Sequence, residues 1–449
     1  MSAVPDAWFE AFAKRPAEQV ATFEAVRRVL LGWGAAGAYP RGVVARSLLT
    51  RSHMPRWHVG VFRGRHGAPQ AVQDALFDIE LRPERRFYRQ IVQALTSVML
   101  GGDQLQAELA VSRVLGVIWS SDPQRDGSAE EVFASGLIEY ARQQGGLLAA
   151  ANLLRVLAAL GTVREVREAA GEALTVRTVP PSGWAPAVGE VTVGRCWVAE
   201  DEFGDYATVL VEFAYGSVRS TTRHGVAVHV DRVAQGAAVD VTLVDDVDSA
   251  ELELRLGAEH ASDEFRRVEP GWAGAVLEQA FAHTDLAPST PVAPGFASLR
   301  ALALARVRSL PSSPLAVSNG PEASPLQRDA IVAEFCQTLE LSSSLPSVAP
   351  SAVSWVAARL LDFAVRIDPR DLLRVSPGRA EAFLYDWLPA AIRDHPGAPA
   401  PEVIGAVLRV WSAWSARQGG TPLLTRDSLA RAVDEIVETY VAQATVFAA

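Results

Sequence analysis

The residues most able to do chemistry lie on two neighbouring strand-like segments near the middle of the chain. Residues 199–216, A-E-D-E-F-G-D-Y-A-T-V-L-V-E-F-A-Y-G, carry five carboxylates. Residues 223–231, R-H-G-V-A-V-H-V-D, carry His229 and Asp231 two positions apart. Side chains two apart on a strand point to the same face, so we expect this histidine and this carboxylate side by side. A histidine among carboxylates can bind a divalent cation or act as a general acid or base.

Alternation along the strands defines the two faces of the predicted sheet. One face is predicted to be packed and to hold nine apolar side chains: Val209, Val211, Phe213, Val226, Val228, Val230, Val239, Val241 and Leu243. The opposite face carries four candidate catalytic residues: Glu212, His229, Asp231 and Asp240. Such a face, loaded with a divalent metal as cofactor, would make the protein a metal-dependent hydrolase.

The acidic loop E-D-E-F-G-D (200–205) lies at the end of this face, and Asp201 and Asp205 are candidate metal ligands. The sequence contains no H-E-x-x-H, EF-hand, C-x-x-C or G-x-S-x-G pattern to strengthen that interpretation. A turn with Gly204 in an unusual backbone conformation explains the loop without a ligand. Antiparallel sheets also commonly keep one solvated face. We therefore favour a solvated sheet face over a reactive site.

A second candidate surface is the basic segment 41–66, which holds six arginines, three histidines and no acid. Five of its side chains could hold a phosphate backbone and stack on a base: Arg51, Arg56, Trp57, Arg63 and Arg65. The chain as a whole is acidic, with a net charge of −10, and its single lysine against forty-one arginines points to a high-GC genome. Nucleic acid is therefore not the favoured partner, and a polyanion-binding regulator is the second alternative.

The chain is predicted to be mainly α-helical and multidomain, because 449 residues exceed the usual size of one core. A helical, solenoid-like domain is expected over 1–178, where periodic apolar segments follow each other with short turns. An α+β module over 187–310 follows, then a linker over 311–325 and a helical domain over 326–449.

The central module is predicted to contain a four-stranded antiparallel sheet followed by helices. Its strands are dense in β-branched residues and joined by short connections, and they are placed at 191–198, 206–215, 223–231 and 237–246. In the C-terminal domain a helix is expected to begin at Ser376-Pro377, with serine as the cap and proline at the first helical position. Tryptophans 355, 387, 411 and 414 are expected to knit the C-terminal core.

Cysteine content and hydropathy indicate a cytoplasmic protein with no membrane partner. Cys196 and Cys336 are the only cysteines and lie in unlike contexts, which argues against a disulfide framework and a cysteine zinc site. The first sixteen residues lack the pattern of a signal peptide. The longest nearly apolar stretch, 145–161, is interrupted by Asn152 and Arg155 and is too short to span a bilayer.

Three segments carry a resemblance to other sequences. They are G-R-C-W-V-A-E-D-E-F-G-D-Y-A-T-V-L-V-E-F-A-Y-G, then H-V-D with the later D-V-T-L-V-D-D-V-D, and F-L-Y-D-W-L-P near the C-terminus. The chain resembles an uncharacterised protein family of actinobacterial-type, high-GC genomes. The resemblance implies no activity, cofactor or catalytic residue.

The favoured function is a non-enzymatic protein-interaction or scaffold role in the cytoplasm, with a protein partner. The helical ends offer surfaces for that partner, and residues 186–310, with ten arginines and nineteen acids, would select a basic one. The metal-dependent hydrolase is the first alternative, and we lean away from an enzyme.

Overall fold

The computed structural model describes residues 87–448. The exceptions are 123, 145–146, 176–182, 217–222, 234, 262–263, 313–324, 343–344, 346, 369–370, 395–396 and 420–422. The basic segment 41–66 and its predicted polyanion site lie outside the described residues, as does most of the predicted linker 311–325.

A group of helices precedes the sheet. They are α1 (87–101), α2 (Gln104–Ser121), α3 (Ser128–Gln143), α4 (Leu148–Leu160) and α5 (Arg164–Thr175). Their apolar stripes meet in one core around Ile91, Leu115, Leu137 and Leu157, each fully buried. The start of α2 is fixed by Asp103, whose carboxylate accepts a hydrogen bond from the Gln106 backbone N–H at 2.8 Å.

The central sheet is antiparallel, in the strand order β4-β3-β2-β1-β5. The strands are β1 (Val191–Glu200), β2 (Tyr206–Tyr215), β3 (Arg223–Asp231), β4 (Ala237–Val244) and β5 (Glu264–Val268). The first four lie where the sequence placed them, but the prediction of only four strands was wrong. Since β5, E-F-R-R-V, is only five residues long and carries two arginines, it shows too little apolar alternation to be found from sequence.

Two β-bulges adjust the predicted faces of the sheet. On β4 the register steps from His229↔Asp240 to Val230↔Ala238, which leaves Val239 without an opposite residue. Ala238 packs in the core in place of Val239, so eight of the nine predicted apolar side chains lie there. The second bulge lies on β1, where Gly194 and Arg195 together oppose Glu212 of β2.

Helices cover both faces of the sheet. The predicted apolar face packs against α7 (Pro270–Leu286) and α8 (Phe296–Arg308). On the opposite face, α6 (Val247–Ala261) covers a smaller apolar cluster around Trp197, Leu210 and Ala227. Helix α8 also lies against α2, so closely that any side chain at Gly116 would collide with the Ala297 carbonyl. The sheet and the preceding helices therefore share α8 as a common wall.

The remaining helices form a separate hydrophobic core. They are α9 (Pro325–Ser342), α10 (Pro350–Ile367), α11 (Pro377–Ala382), a π-helical turn (Phe383–Trp387), α12 (Leu388–Asp394), α13 (Pro401–Gln418) and α14 (Leu423–Ala448). At its centre Phe335 lies edge-on to Trp411, with ring centroids 4.9 Å apart. Of the four predicted tryptophans, 411 and 414 are buried, whereas 355 and 387 pack at the edge.

The predicted start of α11 is confirmed by its capping geometry. The Ser376 hydroxyl accepts a hydrogen bond from the Arg379 backbone N–H at 3.1 Å, with Pro377 at the first helical position. In the described part of the chain, no helix combines the length and apolar character needed to cross a membrane.

Candidate functional site

The acidic loop between β1 and β2 is a hydrogen-bonded turn. Asp201 accepts the Tyr206 backbone N–H on its carboxylate at 2.7 Å and the Gly204 N–H on its carbonyl at 2.8 Å. Gly204 has a φ of +67°, the left-handed conformation that the sequence suggested. Asp201 is therefore used to close the turn.

Asp205, the other predicted metal ligand, is a buried anchor for the C-terminal helices. Its carboxylate accepts the Gly378 N–H at 3.1 Å and lies 3.4 Å from the Arg374 guanidinium. Burial raises the pKa of Asp205, while the Ser376 hydroxyl and Arg374 act in the opposite direction. A side chain at Gly378 would approach the Asp205 carboxylate to 2.7 Å, so glycine is needed for this contact.

The same loop is joined to the C-terminal helices by two further contacts. Phe203 packs against the edge of the C-terminal core. Arg374 donates to the backbone carbonyls of Phe203 at 3.2 Å and Gly204 at 2.5 Å. We call Phe203, Gly204 and Asp205 the acidic joint. It connects the core of the sheet to the core of the C-terminal helices.

Glu212 lies under α6 and is neutralised by two arginines. Its carboxylate oxygens accept from Arg195 Nε and Arg223 Nη1, each at 2.9 Å. Burial disfavours the charged form, but the hydrogen bonds from Arg195 hold the pKa of Glu212 below its usual value. The bulge at Gly194 makes room, because a Cβ there would meet the Glu212 carboxylate at 2.8 Å. Arg195 also reaches Asp248 of α6 at 2.5 Å, which fastens the helix to the sheet.

The other predicted catalytic residues lie at the opposite end of the same face. His229 Nδ1 is 3.2 Å from the Thr208 hydroxyl, and the ring stacks on Tyr206 at 5.7 Å. Asp240 lies opposite His229 in the register. The Asp231 carboxylate accepts the Val233 backbone N–H at 2.8 Å. Burial lowers the pKa of His229, with Asp240 and Asp201 opposing the shift.

The structure brings the four predicted residues onto one face but divides them. The row formed by Leu210 and Ala227, both in the apolar cluster under α6, lies between Glu212 and His229. Within the described ranges, His, Cys, Asp and Glu side chains form no group of three or more that could hold a metal ion.

Sequence reasoning missed a network of four buried polar side chains, which we call the buried network: Glu108, Tyr215, His224 and Arg306. Glu108 Oε2 accepts from the Tyr215 hydroxyl at 2.5 Å and from Arg306 Nη2. Arg306 Nη2 lies 2.6 Å from the Tyr215 hydroxyl oxygen, and Arg306 Nε donates to His224 Nε2 at 3.0 Å. The network links α2, the sheet and α8.

The electrostatics of the buried network keep His224 neutral. Burial, followed by the Arg306 charge, lowers the pKa of His224 to about 3. Burial also raises the pKa of Tyr215, so its hydroxyl stays protonated and donates to Glu108. The available sequence signal was a charged residue at a buried helical position: Glu108 interrupts an apolar stripe of α2, and Arg306 interrupts one of α8.

A cleft of about 510 Å³ opens between α4, α8 and the 3₁₀ turn Ala185–Ala187. Arg155 and Arg308 line it, together with apolar side chains, and we call it the arginine cleft. Gly189 on its wall donates its N–H to Glu108 Oε1 at 2.9 Å. The buried network therefore holds one wall of the cleft in place.

The outer face of α6 carries a short apolar stripe. Leu252 and Leu256, one helical turn apart, keep 45% and 44% of their surface exposed. The exposed acids Asp245 and Asp246 directly precede the helix, where Asp246 accepts from Ser249, and the exposed residues Glu253 and Arg255 lie between the leucines in sequence. These leucines and the three acids are called the α6 stripe below.

Comparisons of the chain with protein-family models, with curated proteins and with solved structures find no match.

Proposed function

We propose that the protein acts by binding a protein partner and not by catalysis, and that the α6 stripe receives that partner. The observation that carries this proposal is the pair Leu252 and Leu256, exposed one turn apart and flanked by acids. The α6 stripe fits a partner segment that is basic and amphipathic. Its apolar side chains would pack on the two leucines, and its arginine or lysine side chains would pair with Asp245 and Glu253.

The candidate catalytic and metal-ligating residues support a binding role because the fold already uses two of them. Glu212 accepts hydrogen bonds from two arginines, and Asp205 accepts the Gly378 N–H. Arg195 joins Glu212 to Asp248, so the helix that bears the stripe is fixed to the sheet. A rigid helix binds a partner with little loss of conformational entropy.

The alternatives remain as weaker proposals. A metal-dependent hydrolase would need Glu212 and His229 to converge, and Leu210 and Ala227 lie between them. Polyanion binding through residues 41–66 rests on their charge alone. The solenoid-like N-terminal organisation, the division at 178, 187, 310 and 326, the cytoplasmic location and the membership of a high-GC uncharacterised family also stay proposals.

The test uses a synthetic helical peptide of leucine and arginine, and a matched peptide with glutamate in place of arginine. Binding is measured by fluorescence anisotropy of the labelled peptides at low and high salt. The basic peptide is expected to bind and to weaken as salt screens the acids, whereas the acidic peptide is not.

Variants locate the contact. Leu252→Ser with Leu256→Ser should abolish most of the binding, and Asp245→Arg with Glu253→Arg should do the same through charge. Leu286→Ser is the control, because Leu286 is 81% exposed at the end of another helix. Equal binding by the wild type and the double leucine variant would refute the proposal, as would equal binding of both peptides.

A further inference from the structure

We propose that the arginine cleft binds a small organic anion, a ligand with a carboxylate or phosphate group on an apolar body. The site is independent of the α6 stripe. The arginine cleft lies between α4, α8 and the 3₁₀ turn that precedes β1, and none of its lining residues belongs to α6.

The first support is the state of the cationic side chains. Arg155 donates to the Asn152 side-chain oxygen at 3.1 Å, and Arg308 donates to the Ala159 carbonyl at 3.0 Å. Arg167, whose charge acts on Arg308, donates to two backbone carbonyls at 2.9 Å. In the described part of the chain, none of these three has a carboxylate oxygen within 4.0 Å. Each guanidinium therefore retains N–H donors for an anion.

Among the described residues, the nearby acids do not pair directly with these arginines, although the charge of Glu130 acts on Arg308. The carboxylate of Glu130 is engaged by Thr162, accepting its backbone N–H at 2.6 Å and its hydroxyl at 2.5 Å. Glu190 is the acidic side chain that lines the cleft, and it lies exposed at the rim. Burial lowers the pKa of Arg155, and burial together with Arg167 lowers the pKa of Arg308 to about 10. A bound anion would relieve this unfavourable environment.

A simpler role for two of the arginines is capping. Arg308 and Arg167 donate to carbonyls at the C-terminal end of α4, which ends at Leu160. Capping uses only a few of the N–H groups of Arg308 and Arg167. It does not involve Arg155, and it does not account for the open volume between the helices. The cleft and the third arginine are what distinguish a binding site from a helix cap.

The shape of the cleft defines the rest of the ligand. The cleft has a volume of about 510 Å³ and is broadly open to solvent, so a ligand would lie along it with one side exposed. Its walls include the aliphatic side chains of Ala158, Leu174, Val188 and Ala305 beside the two arginines. Because Glu108 fixes the wall at Gly189, the site is formed before the ligand arrives.

Isothermal titration calorimetry of the full chain at low salt tests the proposal with four probes: hexanoate, hexyl phosphate, inorganic phosphate and hexanol. One or both hexyl anions should give saturable binding, which identifies the preferred head group. Inorganic phosphate and hexanol should bind much more weakly, because each lacks one half of the ligand. Inorganic phosphate binding as tightly as hexyl phosphate would overturn the requirement for an apolar body.

Variants separate the cleft from other sites. Arg155→Ala and Arg308→Ala should each weaken binding by about tenfold or more, the worth of a charge-assisted hydrogen bond. Arg164→Ala is the control, since Arg164 is an exposed arginine on α5 that pairs with Glu168. Ala158→Phe should block binding by filling the cleft while all charges remain. No saturable binding of either hexyl anion, or wild-type affinity in the Arg155→Ala, Arg308→Ala double variant, would overturn the proposal.

Discussion

Arg306 and Arg308 lie two residues apart on α8, and the fold uses them in opposite ways. Arg306 is 1% exposed, and its Nε and Nη2 nitrogens are bonded to Glu108, Tyr215 and His224, while Nη1 has no hydrogen-bond partner among the described residues. Arg308 reaches solvent through the cleft and donates to one backbone carbonyl. The charge of Arg306 therefore stabilises the fold, whereas the charge of Arg308 remains able to bind a ligand.

Removing the partner of Arg306 should have the largest effect. Glu108→Leu leaves the Arg306 guanidinium buried without its carboxylate, and we expect the free energy of unfolding to fall by about 3–5 kcal/mol. Urea denaturation measures this loss. The double variant Glu108→Leu, Arg306→Met should recover part of the stability, because it removes the unpaired buried charge. It still leaves the Tyr215 hydroxyl and the Gly189 N–H without their acceptor. A loss in the double variant equal to the sum of the single losses would contradict the assignment.

His224 should make the buried network sensitive to acid. Its pKa is about 6.5 in the unfolded chain and about 3 in the folded protein, so the unfolded state binds more protons as the pH falls below 6.5. Lowering the pH from 8 to 5 should cost about 2 kcal/mol of stability through this group. Glu108, Tyr215 and Arg306 belong to the same network as the ring. The pKa values of Tyr215 and Arg306 are both raised, so these two groups keep their protons throughout this window.

The measurement is the pH dependence of urea denaturation for the wild type and His224→Gln, whose side chain can still accept from Arg306. The variant should have a shallower pH dependence than the wild type. The double variant His224→Gln, His229→Gln should be shallower still, because burial also lowers the pKa of His229, on the opposite face of β3. Parallel pH profiles for the wild type and His224→Gln would show that His224 is not held neutral by burial.

Asp205 offers an intermediate case, because this buried carboxylate is held by a backbone N–H together with Ser376 and Arg374. Asp205→Ala leaves the Gly378 N–H without its acceptor and should lower the free energy of unfolding by about 1–2 kcal/mol. Hydrogen exchange should show the loss concentrated at the start of α11. Asp201→Ala is a useful control, because it alters the same turn without touching the C-terminal helices. An equal loss at α11 in both variants would argue against the acidic joint.

The smallest effect is expected for Arg308. Arg308→Ala should change the free energy of unfolding by less than about 0.5 kcal/mol, because the side chain has no carboxylate partner among the described residues. Arg306→Ala is the direct comparison and should destabilise the protein severely. Similar losses in the two variants would mean that Arg308 is also part of the fold's framework.

Local patterns carried the prediction of the sheet, whereas its details depended on long-range contacts. Alternating valines placed β2 and β3 correctly, because each apolar face must be buried. The bulge at Val239 and the short strand β5 are set by neighbouring strands and by α6, and no local pattern encodes them. Strand periodicity predicts which side chains share a face, but it does not say what covers that face.

The same limit explains the outcome for the candidate sites. The sequence indicated that Glu212 and His229 share a face of the sheet. It could not show that Arg195 and Arg223 would form ion pairs with Glu212. Glu108 and Arg306 are 198 residues apart, so their pairing is visible only after folding. The arginine cleft is assembled from α4, α8 and a 3₁₀ turn in the same way.

The two cysteines allow the opening of the two cores to be followed separately by thiol labelling. Cys196 is 1% exposed on β1, and burial raises its pKa to about 11, so a thiol reagent can modify it only when the sheet opens. Cys336 belongs to α9 and packs on the C-terminal core. The relative labelling rates of the two thiols therefore report whether the sheet and the C-terminal helices open as one cooperative unit or separately.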